Sequence, residues 1–234
     1  MEMQQGTKMV QSSEAVRVGA LLALAGGFLD AYTYLERGRV FANTQTGNFV
    51  MLGFELAQHN WANIVKYLLP ILSFSMGIVL VELVRSWGKA RKRGRIHWRQ
   101  IVLAVELLVV AAVGFMPATE HWNMTANIMV SFACGLQVEA FRRMHGKIFA
   151  TTMCTGNLRS GTELTVQYLR TKDKAMLQHA LNYYGVIIAF VIGAAISGLL
   201  VPLLGIQSIW VGGLILFAII LLLFADEWET PHAV

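Results

Sequence analysis

The sequence predicts an all-α polytopic membrane protein. Six transmembrane helices form a 3+3 inverted repeat, with one short re-entrant or half-helix motif segment in each half. Three observations predict it. The 234 residues are 56% hydrophobic and only 14% charged, where an ordinary soluble domain is about 25% charged, and mean hydropathy is +0.54. Six apolar runs are long enough to cross a bilayer core of roughly 30 Å. A polar motif occurs twice at a nearly constant offset. The composition excludes a soluble globular domain, a disordered chain and a protein whose main feature is a basic nucleic-acid surface. The net charge of +5 is read as topological rather than as a nucleic-acid footprint.

The polar segment 1–14 reads as a cytoplasmic tail. No small-residue cleavage site follows it, so the first apolar run, Val16–Leu35, reads as a retained span. The second run is Ile64–Val84, with Pro70 as an expected kink. The third is Ile101–Met116, the fourth Trp122–Phe141 and the fifth Ala180–Leu204. The sixth, Ile209–Phe224, is the most uniformly apolar. Residues 41–59 and 149–170 are too polar to face lipid along their length. The chain therefore divides into a tail (1–14), a first repeat (15–117), a second repeat (118–226) and a cytoplasmic C-terminal tail (227–234).

The repeat rests on three matched stretches. Gly26-Gly-Phe-Leu-Asp30-Ala31 matches Gly135-Leu-Gln-Val-Glu139-Ala140. Phe41-Ala42-Asn43-Thr44-Gln-Thr46-Gly47-Asn48 matches Phe149-Ala150-Thr151-Thr152-Met-Cys-Thr155-Gly156-Asn157. Gly53-Phe-Glu55-Leu56 matches Gly161-Thr-Glu163-Leu164. The offset is 109 positions from Gly47 to Gly156 and 108 from Glu55 to Glu163.

Basic residues set the topology. If each motif segment enters and leaves on one face, each half has three spans and the second runs upside down. With the N-terminus inside, all of the 19 Lys and Arg except Arg37, Arg39 and Lys66 then face the cytoplasm, as the positive-inside rule requires. The 85–99 loop, with its Lys-Ala-Arg-Lys-Arg core, is expected to contact anionic lipid.

Thr-Gly-Asn before an apolar stretch reads as the start of a short helix. Thr46 and Thr155 are expected N-caps, Gly47 and Gly156 permit a sharp turn, and Asn43, Asn48 and Asn157 can bond a solute or the opposite half. Two half-helix N-termini meeting at the midplane would suit an anion or polar solute. The alternative is that these residues pack two short helices together. Asp30, Glu139, Glu55 and Glu163 are paired acids at depth. Such groups are costly there, roughly 2.5–3.5 kcal/mol on insertion scales, so they are candidates for proton relay or for orienting the loops. Glu106 is a further acid, in the third span, and Glu82 is expected to pair with Arg85. Cys134 and Cys154 read as small buried hydrophobes. No metal-ligand spacing, nucleophile motif or phosphate loop is present, so no catalytic residue, cofactor or metal is expected.

The Gly-Gly-Phe-Leu-Asp30-Ala31 stretch followed by Phe41-Ala42-Asn43-Thr-Gln-Thr46-Gly47-Asn48 resembles the YoaK-like proteins, a family of six-span bacterial inner-membrane proteins grouped as a domain of unknown function. The resemblance covers about residues 15–226. It implies an inner-membrane location and six spans, and it implies no substrate. Taken with the motif reading, it leads to the expectation of a small-solute transporter or channel, anion-binding or proton-coupled, with both termini cytoplasmic. The partners expected are lipid, a small solute and, as an option, further copies of the chain. The competing expectation is a non-transporting accessory, sensor or assembly protein with a dry, packed midplane.

Overall fold

A computed structural model describes residues 2–90, 97–144, 147–148 and 154–229. The central part of the basic 85–99 loop, the beginning of the 149–170 segment and the last residues of the C-terminal tail lie outside the described residues. Among the described residues the chain is almost wholly helical. The helices are α1 (Glu2–Glu36), α2 (Gln45–Ala57), α3 (Trp61–Ala90), α4 (His97–Val113), α5 (Glu120–Ala140), α6 (Cys154–Thr171), α7 (Lys174–Leu204) and α8 (Ile209–Glu229). A 3-10 turn, Gly205–Ser208, joins α7 to α8. A minimal hairpin pairs β1 (Arg143–Met144) with β2 (Lys147–Ile148).

Six helices, of 17 to 35 residues, coincide with the six apolar runs, and α2 and α6, of 13 and 18 residues, with the two motif segments. Helix α1 begins at Glu2, so the polar 1–14 segment continues the helix of the first apolar run. Pro70 lies inside α3 and Pro202 inside α7. Val16–Glu36, Trp61–Ser86 and the stretch Lys174–Phe224 are long and apolar enough to cross a membrane. The outer surface is apolar as well: Leu108, Leu199, Leu203, Leu214 and Phe115 are exposed. Patches of this extent belong against lipid rather than water.

The helices pack mainly as α1 on α7 and α3 on α5, with α4 against α5 and α8, and α8 against α1. Both main crossings are glycine-tight and built alike. A Cβ on Gly27 would collide with the carbonyl of Phe190, and one on Gly193 with that of Leu24. At the other crossing, a Cβ on Gly77 would meet the Phe132 carbonyl and one on Gly135 the Phe74 carbonyl. In each case a residue and the glycine three places on face the same pattern on the partner helix. Small residues at such crossings let two backbones approach, which is how helices associate without a hydrophobic drive between them.

Contacts fix the helix directions. Ser73 Oγ donates to Ile128 O at 2.7 Å, and Arg85, further along α3, reaches Glu139 near the end of α5. Thus α3 and α5 run the same way. Tyr32 OH donates to Ile206 O at 3.1 Å, while Gly212 lies against Phe28, so α8 runs opposite to α1. Arg99 Nε donates to Ala140 O at 3.2 Å, so α4 opposes α5. Trp210 lies by Ala111 and Gly213 by Leu107, so α8 opposes α4. The core gathers Leu22, Phe28, Leu103, Val130, Phe141 and Leu216.

Candidate functional site

The chain turns back on itself after α1, and that return builds the first motif. Arg37 to Thr44 fold against α1, with Gly38 and Arg39 at positive φ of 86° and 64°. Asp30 receives the returning chain. One carboxylate oxygen accepts the Asn43 N–H at 2.6 Å and the Thr44 N–H at 3.3 Å, and the other accepts the Thr44 hydroxyl. Helix α2 begins at the next residue. The carboxylate thus holds the two residues before the helix and places its charge near the positive end of the helix dipole, the favourable arrangement.

Thr46 is not the cap. Thr44 precedes the helix and Thr46 lies inside its first turn, exposed. Thr155 likewise lies inside α6, which begins at Cys154, and is exposed. In the first motif the returning chain is held just before the helix: Asp30, fourteen residues upstream of Thr44, accepts the N–H groups of Asn43 and Thr44, and α2 starts at Gln45.

Asn48 is fully buried and bonds the motif to itself. Its Oδ1 accepts the Phe41 N–H at 3.0 Å, and its Nδ2 donates to Phe41 O at 2.7 Å and Gln45 Oε1 at 2.9 Å. Gln45 Nε2 donates to Ala42 O at 2.8 Å. A Cβ at position 47 would sit 2.7 Å from the Phe41 ring, so Gly47 is what lets that ring lie on the helix start. Asn43 is buried beside Asp30. Its Nδ2 donates to Gly26 O at 3.4 Å, and its Oδ1 has no partner among the described residues.

The second copy is placed differently. Asn157 is buried, as Asn48 is, but Thr155, Gly156 and Glu163 are exposed, whereas Glu55 is buried within electrostatic reach of Lys66. Glu139 accepts from Arg85 at 2.9 Å, lies 3.9 Å from Arg142, and stands by the start of α4. Arg85 also pairs with Glu82 at 2.6 Å, as the i,i+3 spacing predicts. The difference from Asp30 follows from register. Asp30 lies three residues after its crossing glycine, Gly27, and Glu139 lies four after Gly135. One residue turns a side chain about 100° around the helix.

Near Asp30 the two halves meet. Cys154, the first residue of α6, is within electrostatic reach of Asp30. The buried Cys134 thiol of α5 lies beside the Asn43 amide and within reach of Asp30 and Glu106. Around this point several buried polar atoms have no partner among the described residues: both Glu106 oxygens, both polar atoms of the Gln137 amide, Asn127 Oδ1, Ser131 Oγ and Asn43 Oδ1. Asn127, Ser131, Cys134 and Gln137 lie on one face of α5. Their spacing of four, three and three is a helical period that was readable in the sequence as a polar stripe.

Arg37 was also missed as a site of consequence. It is completely buried and places every N–H it has. Nε donates to Tyr32 OH at 2.9 Å, and Nη1 to Pro117 O at 3.1 Å and Asn123 Oδ1 at 3.2 Å. Nη2 donates to Val113 O and Met116 O, both at 2.9 Å. A cation thus sits at the negative end of α4, on the Val113 carbonyl and on those of the turn that follows. Asn127 Nδ2 returns a bond to Arg37 O at 2.7 Å. Among the described residues, no group of three or more His, Cys, Asp or Glu is arranged to hold a metal ion.

Comparison with known proteins agrees with the membrane character of this architecture. A family model described as "Protein of unknown function (DUF1275)" matches residues 18–222. The UPF0700 transmembrane protein YoaK of Bacillus subtilis (strain 168) is 28% identical over 210 residues, covering 86% of this chain and 91% of the relative. No solved structure matches the chain. The chain belongs to the DUF1275 family and is a YoaK-like membrane protein.

Proposed function

We propose that this protein is a small-solute transporter or channel of the plasma (inner) membrane. In this reading all six long helices cross the bilayer as a 3+3 inverted repeat, and α2 and α6 dip in from opposite faces. The site lies at the midplane between the two motif helices. Both termini and the 85–99 loop face the cytoplasm, where that loop contacts anionic lipid. The reading includes no catalytic step, cofactor or metal.

The observation that carries it is the approach of both short helices to one buried carboxylate: α2 begins against Asp30, and the first residue of α6 is within its electrostatic reach. The matched glycine crossings and the alternating helix directions support the repeat. Two helix N-termini bring about half a positive charge each, and Asp30 offsets them. A nearly neutral site of this kind favours an uncharged polar solute over an anion.

The test is flux into liposomes holding the purified full chain, with a panel of small neutral polar solutes, anions and protons. Flux above empty vesicles for at least one neutral solute, reduced tenfold or more by Asp30→Asn, is the expected result. No flux across the panel overturns the reading. A second reading, a non-transporting accessory or sensor, is favoured by one observation: Asp30 and Asn48 direct their described bonds to the motif's own backbone and side chains. It predicts no flux and a folded, inert protein.

A further inference from the structure

The polar face of α5 lies by an acid that no described side chain neutralises. Glu106 stands mid-way along α4, fully buried, with no hydrogen-bond or ion-pair partner for either oxygen among the described residues. The helices packed on α4 bring no countercharge to it. Helix α8 has no titratable side chain from Ile209 to Phe224. Helix α5 brings the Cys134 thiol into electrostatic reach, and its other titratable groups, Glu120, His121 and Glu139, lie near its two ends.

Buried polar groups in folded proteins have partners, and an exception marks water, an ion or a working group. Here the exceptions are aligned. From Asn127 to Gln137 the polar face of α5 covers ten residues, about 15 Å of helix, roughly half of the hydrocarbon core. Unsatisfied atoms recur along it at Asn127, Ser131 and Gln137. Water molecules fit such a row because each needs two to four polar partners. A carboxylate in apolar surroundings with no positive partner is unfavourable, so the Glu106 carboxyl holds a proton or meets a mobile cation.

The geometry points to Glu106 as the proton-binding group of the transport pathway, served by water held along the Asn127–Ser131–Gln137 face of α5. This rests on the transport reading and names its coupling ion. The step conserves atoms and charge: Glu106 takes a proton from water on one face, passes it to water on the other, and no electrons move.

The test is proton flux in liposomes carrying the full chain and an enclosed pH-sensitive dye, with membrane potential clamped by potassium and valinomycin. Proton entry above empty vesicles is expected, reduced at least tenfold by Glu106→Gln and about threefold by Gln137→Leu, with Glu106→Asp retaining part of it. If solute flux occurs but no proton moves with it, or if Glu106→Gln leaves proton entry unchanged, the inference fails while the transport reading stands. If sodium moves in place of protons and Glu106→Gln stops it, the inference also fails. Should Glu106→Gln not be recovered folded, the wild-type protein decides the matter through modification with an apolar carbodiimide. An adduct at Glu106 that abolishes proton entry supports the assignment, and an adduct without effect overturns it.

Discussion

The acid near the end of the first helix is held differently in the two halves. In the first half Asp30 is buried and takes two backbone N–H groups and a hydroxyl from the chain that returns to start α2. In the second, Glu139 faces the side chain of Arg85, which is 29% exposed, near the ends of α3 and α5. The surrounding faces differ in the opposite sense. At an offset of 109, the α5 positions Asn127, Ser131, Cys134 and Gln137 correspond to Val18, Leu22, Ala25 and Phe28 of α1, all buried and apolar. The first half has an apolar central helix and a motif whose polar groups, Asn43 Oδ1 apart, largely bond one another. The second has a polar central helix with unused bonding capacity. In the repeat and pathway proposed above, the first half is the scaffold and the second the polar lining.

The largest expected effect breaks the scaffold side. Arg37→Met removes five hydrogen bonds and leaves the end of α4 uncapped. Bonds to a charged group are worth about 1.5–3 kcal/mol each and are not additive, so a net loss of about 4 kcal/mol is expected. The measurement is thermal unfolding of the detergent-solubilised protein, together with its recovery as a monodisperse species. Arg37→Lys should rescue only part of the loss, because an ammonium cannot present the same fork of donors. A variant as stable as wild type would refute the clamp.

Next come the crossings, which test whether the two frames are equivalent. Gly27→Ala and Gly135→Ala each force a methyl into a backbone carbonyl that cannot turn aside. Each should cost about 2–3 kcal/mol, in the range for overpacking a tight contact. Similar losses at both sites support equivalent frames. A loss at one alone shows that the two crossings carry unequal shares of the packing.

Much of this was legible in the sequence. The six apolar runs coincide with the six long helices because length and hydropathy dictate both. The two motif segments are helices too, and their polar residues set them apart from the apolar runs. What was not legible depends on contacts far apart in the chain. Arg37 looked like one of three basic residues on the outer side, because its acceptors at Val113 and Pro117 lie 76 and 80 residues away. Thr46 looked like a cap because α2 starts one residue earlier than the motif suggests, where Asp30, outside the motif, holds Asn43 and Thr44. Asp30 and Glu139 looked equivalent because aligning them hides a one-residue change in register against the crossing glycines. Glu106 was visible as an acid without a repeat partner, but its lack of a hydrogen-bond partner among the described residues depends on which faces of α5 and α8 meet α4.

The acids themselves give the smaller effects and the sharpest comparison. Asp30→Asn keeps the shape of the side chain. It removes the charge from the start of α2 and puts an amide N–H where an acceptor is needed. Losing charge at a helix N-terminus costs about 0.3–1 kcal/mol at exposed sites and up to about 2 when partly buried. Adding the weakened bonds to Asn43 and Thr44, the expected loss is about 2 kcal/mol. Glu139→Gln should cost less, about 0.5–1 kcal/mol, since partly exposed ion pairs contribute little. Arg85 also keeps its bonds to Glu82 at 2.6 Å and to Glu139 O at 2.8 Å. Paired denaturation curves decide the order. If Glu139→Gln proves as damaging as Asp30→Asn, the two acids do equivalent structural work and the division into scaffold and lining is wrong. If the order holds, the stability difference between the variants measures how much of Asp30's role is to hold α2 in place, and any flux defect in Asp30→Asn must be corrected by that amount before it is attributed to the pathway.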